Sequence, residues 1–313
     1  MGYNSSRLPD SWCSFLIIFN ASESTSVYYR VTLATCFISS LLAPMIVASN
    51  TFILVAIWKN PSLRTPSYVL LAGLAFTDFC TGLLTQPFFA LYQWADLTRN
   101  IEMFCITGVI TQGIGYSLSS LTVIVLTIMA VERWLHMSRR SLLTVRRVVI
   151  LYIMSTVLLI VLNACQLYNW YHTNKNFSAF IVIFFFGAAL CFLTTGFAYF
   201  KVFRIIRDHQ SQIQTNQNAI DIDKYKKSVF TIIYILAIFL LTYVPFVCNL
   251  AVVINMGFIS AKLARASMNA WAVIVFSSSF VNPLLYYWRI KEIRDSVKRI
   301  LRNVCREETE EES

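Results

Sequence analysis

The sequence predicts an all-α membrane protein, a seven-transmembrane helix bundle followed by a short amphipathic eighth helix. Of its 313 residues, 57% are hydrophobic and only 13% are charged, about half the charged fraction of an ordinary soluble domain. The apolar residues also gather into seven long stretches, and a helix that crosses a bilayer needs roughly 20 mostly apolar residues. Composition and segment length together predict one membrane-embedded domain.

The seven predicted spans follow one another along most of the chain. They are Val31–Trp58, Tyr68–Trp94, Met103–Leu135, Val148–Tyr168, Phe177–Phe203, Val229–Met256 and Ala266–Trp288. After the last span, apolar residues recur at helical spacing between lysines and arginines over residues 289–305, which predicts an amphipathic helix on the membrane surface. The predicted parts are an extracellular N-terminal segment over 1–30, the bundle over 31–288, this helix, and an acidic disordered tail over 306–313.

The positive charges give the bundle a predicted orientation, because loops rich in lysine and arginine face the cytoplasm. Most of these residues lie between spans 1 and 2, 3 and 4, or 5 and 6, or after span 7. Three Asn-X-Ser glycosylation sequons fall on the opposite, outer face, at Asn4, Asn20 and Asn176. We therefore expect a multi-pass plasma-membrane protein with an extracellular N-terminus, whose net charge of +10 favours contact with anionic membrane lipids and not with nucleic acid.

A few polar side chains interrupt the predicted spans, where they are costly and usually functional. Asp78 is the one acid deep in a span, while Asn50 lies in span 1 and Asn282 in span 7. If spans 1, 2, 3 and 7 adjoin, these groups meet midway through the bundle, near Thr122 and Ser278. Such a cluster either binds a small cation, with sodium at Asp78 as the candidate, or acts only as polar contact between helices. Spacing alone leaves both interpretations open.

The spans also contain an acid–arginine pair and two prolines. Glu132 and Arg133 lie at the inner end of span 3, and an exposed pair of this kind would contribute only about 0–1 kcal/mol. Pro245 in span 6 and Pro283 in span 7 each remove a backbone donor, so each predicts a kink.

Taken together, these residues resemble the rhodopsin-like (class A) family of G-protein-coupled receptors. The matching segments include LAGLAFTD, ending at Asp78, VERW, containing Arg133, and NPLLY, from Asn282 to Tyr286. The resemblance covers nearly the whole chain. It assigns activation and G-protein coupling to seven residues: Glu132, Arg133, Tyr199, Phe239, Pro245, Pro283 and Tyr286. It implies that a ligand in the outer half drives the inner end of span 6 outward and opens a cleft for a heterotrimeric G protein.

The chain departs from the family pattern in ways that bear on function. The base of span 6 lacks the acid that often restrains the arginine, so we expect some basal activity. The family's usual disulfide also lacks its loop cysteine, which leaves Cys13 as an extracellular partner for Cys105. At the other end of the chain, Cys305 is either a palmitoylation site or a free thiol.

The predicted ligand pocket is apolar with few polar groups. Aminergic receptors carry an aspartate at the position of Gly115, and visual opsins need a lysine that span 7 lacks, so the resemblance disfavours both classes. The candidate lining residues are Gln112, Gly115, Tyr116, Tyr243, Phe246, Asn249, Trp271 and Phe276. Such a pocket suits an uncharged small molecule, a lipid or a peptide, although each aromatic could equally serve in packing alone.

Other function classes fit the sequence less well. The three histidines, His136, His172 and His209, are far apart, and no nucleophile triad or metal-ligand spacing occurs, so we expect neither an enzyme nor a cofactor other than the sodium ion. A sensory chemoreceptor of the same fold is the nearest alternative. A transporter or channel fits less well, because the spans carry one buried acid and no broken half-helices.

Overall fold

The computed structural model describes residues 26–138, 143–173, 177–213, 240–249 and 261–311, with residues 234, 237, 238 and 252 between them. Within these ranges the secondary structure is helical and contains no strand. In chain order the helices are α1 (Ser26–Lys59), α2 (Pro66–Leu97), α3 (Ile101–Met137), α4 (Val145–Thr173), α5 (Phe177–Ile213), α6 (Leu240–Asn249), α7 (Ala261–Arg289) and α8 (Lys291–Glu311).

Six of these helices are long and apolar enough to cross a membrane, and they correspond to predicted spans 1 to 5 and 7. The predicted sixth span, Val229–Met256, lies largely outside the described residues, where the structure gives only the short apolar helix α6. Several helices extend beyond the predicted spans, most clearly α5, which continues past Phe203 to Ile213. Hydropathy marks only the part of a helix that lipid surrounds, whereas backbone hydrogen bonds continue into water.

Local sequence explains where the helices begin. Asn100 caps α3, because its side-chain oxygen accepts a hydrogen bond from the Met103 amide at 3.1 Å. Pro66 occupies the first turn of α2, where its missing N–H costs nothing.

A π turn over Thr81–Thr85 interrupts α2 at mid-height, just before Pro87. Proline lacks a backbone donor and crowds the preceding turn, and an extra residue in a wider turn accommodates it. Gly82 lies in this turn, and a Cβ there would be 2.8 Å from Cγ2 of Ile46 on α1. The glycine therefore allows α1 and α2 to approach closely.

The helices pack as a bundle in which α1 lies against α2 and α7, and α3 lies against α2, α4 and α5. The inner half is filled by apolar side chains from several helices, with Leu74, Val125 and Tyr286 fully buried among them. Large apolar side chains on the outward faces of α4 and α5 are exposed, including Met154, Phe186 and Leu193. Exposure of this kind is expected where the surrounding solvent is lipid.

The helix α8 turns away from α7 after Ile290 and buries Ile293 and Val297 against the inner core. Asn60, between α1 and α2, donates a side-chain hydrogen bond to Ser296 at 3.1 Å and fixes the docking. We predicted an amphipathic helix over 289–305, and α8 continues to Glu311, into the segment predicted to be a tail. Glutamate is a good helix former, which allows this continuation.

Candidate functional site

The structure brings together three polar side chains midway through the bundle, which we call the central cluster: Asn50, Asp78 and Asn282. The Asn282 amide donates a hydrogen bond to Oδ2 of Asp78 at 2.8 Å, and so joins α7 to α2. All three side chains are buried. The polar groups of predicted spans 1, 2 and 7 therefore lie together in the structure, as the sequence predicted.

The proline of α7 explains how Asn50 joins this cluster. Pro283 has no N–H and leaves the carbonyl of Ser279, one turn earlier, without its usual helical donor. The side-chain amide of Asn50 donates to this carbonyl at 3.0 Å and to the carbonyl of Ile46 on its own helix at 2.9 Å. The Asn50 amide thus satisfies a buried backbone carbonyl across the interface of α1 and α7. This hydrogen bond offsets both the cost of burying the amide and the cost of the helical hydrogen bond that Pro283 removes.

Thr122 and Ser278 are buried beside the bundle axis, but their hydroxyl groups bond within their own helices. The Thr122 hydroxyl donates to the Leu118 carbonyl at 3.1 Å, and that of Ser278 to the Val275 carbonyl at 2.6 Å. Each oxygen still has lone pairs after donating its proton. Both hydroxyl groups therefore donate to backbone carbonyls and not to Asp78, and their remaining lone pairs could accept.

At the inner end of α3, Glu132 is far more buried than an exposed ion pair would be. Its side chain is 4% exposed, and Oε2 lies 3.7 Å from Nε of Arg133, whose side chain is 19% exposed. Its other oxygen accepts a hydrogen bond from the Ser67 hydroxyl at 2.9 Å. Nothing in the sequence around Ser67 predicts this contact, except that the serine follows Pro66 at the inner end of α2.

The two tyrosines assigned to activation contribute to the same inner core. Tyr286 is fully buried, and Tyr199 packs against the same apolar side chains. Neither hydroxyl finds a hydrogen-bond partner in the part of the chain that the structure describes. Pro245 lies within α6, while Phe239 lies outside the described residues.

The residues predicted to line the ligand pocket differ in their surroundings, and some of them are buried in contacts between helices. Phe276 is buried and packs edge-on against Phe89 of α2, with ring centroids 5.4 Å apart. A Cβ on Gly115 would lie 3.3 Å from Cγ2 of Thr85, so this glycine allows α3 to approach α2. Gln112, Tyr116 and Trp271, predicted pocket residues on α3 and α7, are partly buried.

The α6 candidates are tied to their surroundings in different ways. The Asn249 side chain accepts a hydrogen bond from the Ser267 hydroxyl at 3.1 Å and so connects α6 to α7. Tyr243 packs against the inner apolar core, and Phe246 is partly buried.

Several predicted modification sites fall where the structure gives no side-chain detail. Asn4, Asn20, Asn176 and Cys13 lie outside the described residues, and the side chain of Cys305 is also outside them. Cys105 is disulfide-bonded. Cys36, Cys80, Cys165, Cys191 and Cys248 are free thiols.

Comparisons with known proteins identify a family and several relatives that this chain is similar to. A family model for the "7 transmembrane receptor (rhodopsin family)" matches residues 49–286. "Probable G-protein coupled receptor 45" of Homo sapiens is 24% identical, over 96% of this chain and 91% of that protein. "Lysophosphatidic acid receptor 3" of Homo sapiens is 22% identical over 81% and 74% of the two chains. "Histamine H2 receptor" of Canis lupus familiaris is 21% identical over 88% and 80%.

Proposed function

The chain belongs to the rhodopsin family of seven-transmembrane receptors, and we propose that it couples an extracellular ligand to a heterotrimeric G protein. Membership makes it a multi-pass membrane receptor and not an enzyme. We place it in the plasma membrane with the N-terminus outside, because lysines and arginines concentrate on the loops predicted to be cytoplasmic.

The observation that carries this proposal is the ion pair between Arg133 and a buried acid at the inner end of α3. Glu132 lies 3.7 Å from Arg133 and accepts a hydrogen bond from Ser67 of α2. An arginine in an ion pair of this length can exchange the acid for backbone carbonyls of an inserted G-protein helix when the helices separate. The inner face would then switch between two arrangements, and a ligand shifts their populations only by binding one of them more tightly.

The central cluster is the proposed connection between the ligand and this inner face. It joins α2 to α7 through Asp78 and Asn282, and α1 to α7 through Asn50 and the Ser279 carbonyl. If a ligand displaces the outer end of α7, these hydrogen bonds must therefore either break or move α1 and α2 together with α7. Coupling through a contiguous hydrogen-bonded network of this kind has a physical basis.

The oxygen atoms around the cluster also suit a sodium ion, which we propose as a regulator. Asn50 Oδ1 is buried and accepts no hydrogen bond from any described residue. With the carboxylate of Asp78 and the hydroxyl oxygens of Thr122 and Ser278, it forms a set of oxygen donors, the ligand type that hard cations prefer. A bound sodium ion would neutralise the buried carboxylate. The hydrogen bond from the Asn282 amide holds the Asp78 carboxylate in position.

For the ligand we propose a molecule with a large apolar part, with a lipid ahead of an uncharged small molecule or a peptide. The support is the aromatic and aliphatic character of the outer half, where Phe89, Val273 and Phe276 form a buried apolar cluster. Five of the relatives are also named as lysophosphatidic acid receptors.

The test measures guanine-nucleotide exchange on purified heterotrimeric G proteins added to membranes that contain the receptor. We expect basal exchange above that of receptor-free membranes, and a fall of at least about tenfold in Arg133→Ala, since a charged hydrogen-bonding group contributes roughly 1.5–3 kcal/mol. Arg146→Ala is the matched control, because Arg146 is exposed at the start of α4. Equal exchange in wild type, Arg133→Ala and receptor-free membranes, with every G-protein subtype, would contradict the proposal.

A further inference from the structure

A second buried polar group lies at the outer end of the bundle, and we call it the outer cluster: Tyr28 of α1, Asp96 of α2, and Arg265 and Asn269 of α7. Arg265 is only 7% exposed and Asp96 only 5%. Nη2 of the arginine lies 3.5 Å from Oδ2 of Asp96. The same carboxylate oxygen accepts a hydrogen bond from the Tyr28 hydroxyl.

The guanidinium group is held in one place by aromatic rings. Tyr92 and Phe104 stack with their centroids 4.7 Å apart. The central carbon of the Arg265 guanidinium lies 4.9 Å from the first ring centroid and 4.2 Å from the second. Cation–π contacts at these distances stabilise the charge and fix its position. Arg265 is therefore an ordered group and not a solvated surface side chain.

This ordered arginine has hydrogen-bonding capacity that the described residues do not use. Nε and Nη2 of Arg265 are buried without an acceptor, and so is Nδ2 of Asn269, one turn deeper on α7 and 4% exposed. All three atoms are N–H donors. Asp96 supplies charge, but its contact at 3.5 Å is longer than the roughly 2.7–2.9 Å of a good arginine–carboxylate bond. What these atoms require is an oxygen-rich acceptor, and beside a guanidinium the favoured acceptor is an anion.

The surroundings change from polar to apolar with depth along α7. Val273 and Phe276 lie one and two turns beyond Asn269 and pack with Phe89 in a buried apolar cluster. On α2, the side-chain oxygen of Gln93 is buried without a donor among the described residues, while its side-chain amide donates to the Thr35 hydroxyl at 2.7 Å. A molecule that matches this change in polarity has an oxygen-rich anionic end beside Arg265 and an apolar remainder directed towards Phe276.

We propose that the outer cluster binds the anionic head group, phosphate or carboxylate, of an amphiphilic ligand, with Arg265 and Asn269 as its donors. The assignment rests on the proposed receptor function and specifies its ligand class. In the unliganded protein Asp96 forms an ion pair with the Arg265 guanidinium and so competes with the head group of the ligand. Binding therefore exchanges an internal ion pair for one with the ligand, at the point where α1, α2 and α7 meet.

The test uses probes with one oleoyl chain and different head groups: oleoyl lysophosphatidic acid, oleic acid and 1-oleoylglycerol. Each is titrated, in radiolabelled form, against the full-length receptor in nanodiscs. We expect at least one acidic probe to bind at least about tenfold more tightly than the uncharged one, as a charge-assisted hydrogen bond to a buried arginine requires. Inorganic phosphate is added as a competitor to separate a lipid head group from a free ion.

The variants distinguish a ligand contact from a structural role. Arg265→Gln should abolish the preference for acidic probes, whereas Arg30→Gln, an exposed arginine at the same end, should leave it unchanged. Asp96→Asn removes the competitor, so affinity for the acidic probe should stay equal or rise. A purely structural ion pair predicts the opposite pattern, in which Arg265→Gln and Asp96→Asn weaken binding of all three probes alike.

The proposal is overturned if wild type shows no preference for an acidic head group, or if the preference survives Arg265→Gln. Displacement by inorganic phosphate at concentrations similar to those of the probe would overturn the assignment to an amphiphile. Nucleotide exchange measured on the same samples separates this inference from the proposed function. Arg265-dependent binding without any exchange would leave the site standing and contradict receptor signalling. Ligand-stimulated nucleotide exchange that persists in Arg265→Gln would support receptor signalling and contradict the assignment of the outer cluster.

Discussion

The central cluster and the outer cluster are both buried, both polar and both contributed by α1, α2 and α7, but their hydrogen bonding differs. In the central cluster, Asn282 reaches Asp78 at 2.8 Å and Asn50 reaches two carbonyls at 2.9 and 3.0 Å. In the outer cluster, three N–H-bearing atoms of Arg265 and Asn269 meet no acceptor among the described residues.

The difference separates a cluster that holds helices together from one that requires a further molecule. A buried donor without an acceptor costs roughly 1–3 kcal/mol, and more if it is charged. A fold tolerates that cost where a ligand or water satisfies the group. In the central cluster the side-chain amides of Asn50 and Asn282 are satisfied by acceptors within the protein, so they stabilise the contacts between helices, and the unpaired Asn50 Oδ1 is the atom left for the proposed sodium ion. The unpaired donors of the outer cluster lower the stability of the unliganded protein, and a bound ligand that accepts their hydrogen bonds would offset this cost.

The largest expected effect comes from replacing one amide in each half of the bundle by leucine. Asn282→Leu leaves the Asp78 carboxylate without its donor and should cost about 3 kcal/mol. Gln86→Leu, at the outer level of α2, removes a fully buried amide with no partner among the described residues, so it should be neutral or stabilise by about 1 kcal/mol. Thermal unfolding in detergent measures both, and equal destabilisation would show that a hydrogen-bond partner for the buried amide does not decide the effect.

A smaller effect is expected at the π turn that separates the two clusters along α2. Gly82→Ala would place a Cβ 2.8 Å from Cγ2 of Ile46 and 3.1 Å from the Ala43 carbonyl oxygen, so α1 must move away, at a cost of about 1–3 kcal/mol. Gly113→Ala is the control, because nothing lies within 4 Å of its added Cβ, and the higher helix propensity of alanine should stabilise α3 slightly. A shift in melting temperature of the same sign and size for both would show that close packing of α1 on α2 does not matter.

Sodium should act on the central cluster alone. If the proposed ion binds, sodium chloride at about ten times its dissociation constant stabilises the receptor by about 1.4 kcal/mol relative to choline chloride. Asp78→Asn should remove this difference, and Arg265→Gln should retain it. The measurement is the unfolding midpoint in the two salts. Loss of the sodium effect in Arg265→Gln, or its persistence in Asp78→Asn, would place the cation elsewhere.

The smallest effect concerns the inner end of α3. Ser67→Ala removes one hydrogen bond to Glu132, which contributes about 1 kcal/mol, so basal nucleotide exchange should rise by up to about fivefold. Ser40→Ala is the matched control, since the Ser40 hydroxyl is exposed and bonds only within α1. Unchanged or lower exchange in Ser67→Ala would indicate that Ser67 does not restrain the pair of Glu132 and Arg133.

Some residues of the site could be predicted from sequence, but their partners could not. Asn50, Asp78 and Asn282 stand out because polar groups are rare in apolar helices, so their meeting was a reasonable expectation. Whether the hydroxyl groups of Thr122 and Ser278 also bond to Asp78 depends on rotamers, and both instead reach carbonyls of their own helices. A helix offers such a carbonyl to every serine and threonine, so composition does not decide between the alternatives.

Other features depend on pairs of helices that the sequence does not relate. Tyr152 of α4 packs against α2 where Gly73 leaves room, since a Cβ there would lie 3.0 Å from its ring, and its hydroxyl lies 3.0 Å from that of Thr77. Nothing in the sequence of α4 predicts this contact with α2. The same holds for Arg265, since nothing local indicates that Asp96 and two aromatic rings enclose it.

The sequence by itself determined the six spans that the structure describes, their order and the identity of the polar side chains enclosed by them. These properties follow from composition along the chain, because hydrocarbon admits apolar helices and excludes most charges. Only the tertiary structure decided which of the enclosed groups are satisfied and which are not. A hydrogen bond needs donor and acceptor about 3 Å apart, and the packing of neighbouring helices sets that distance.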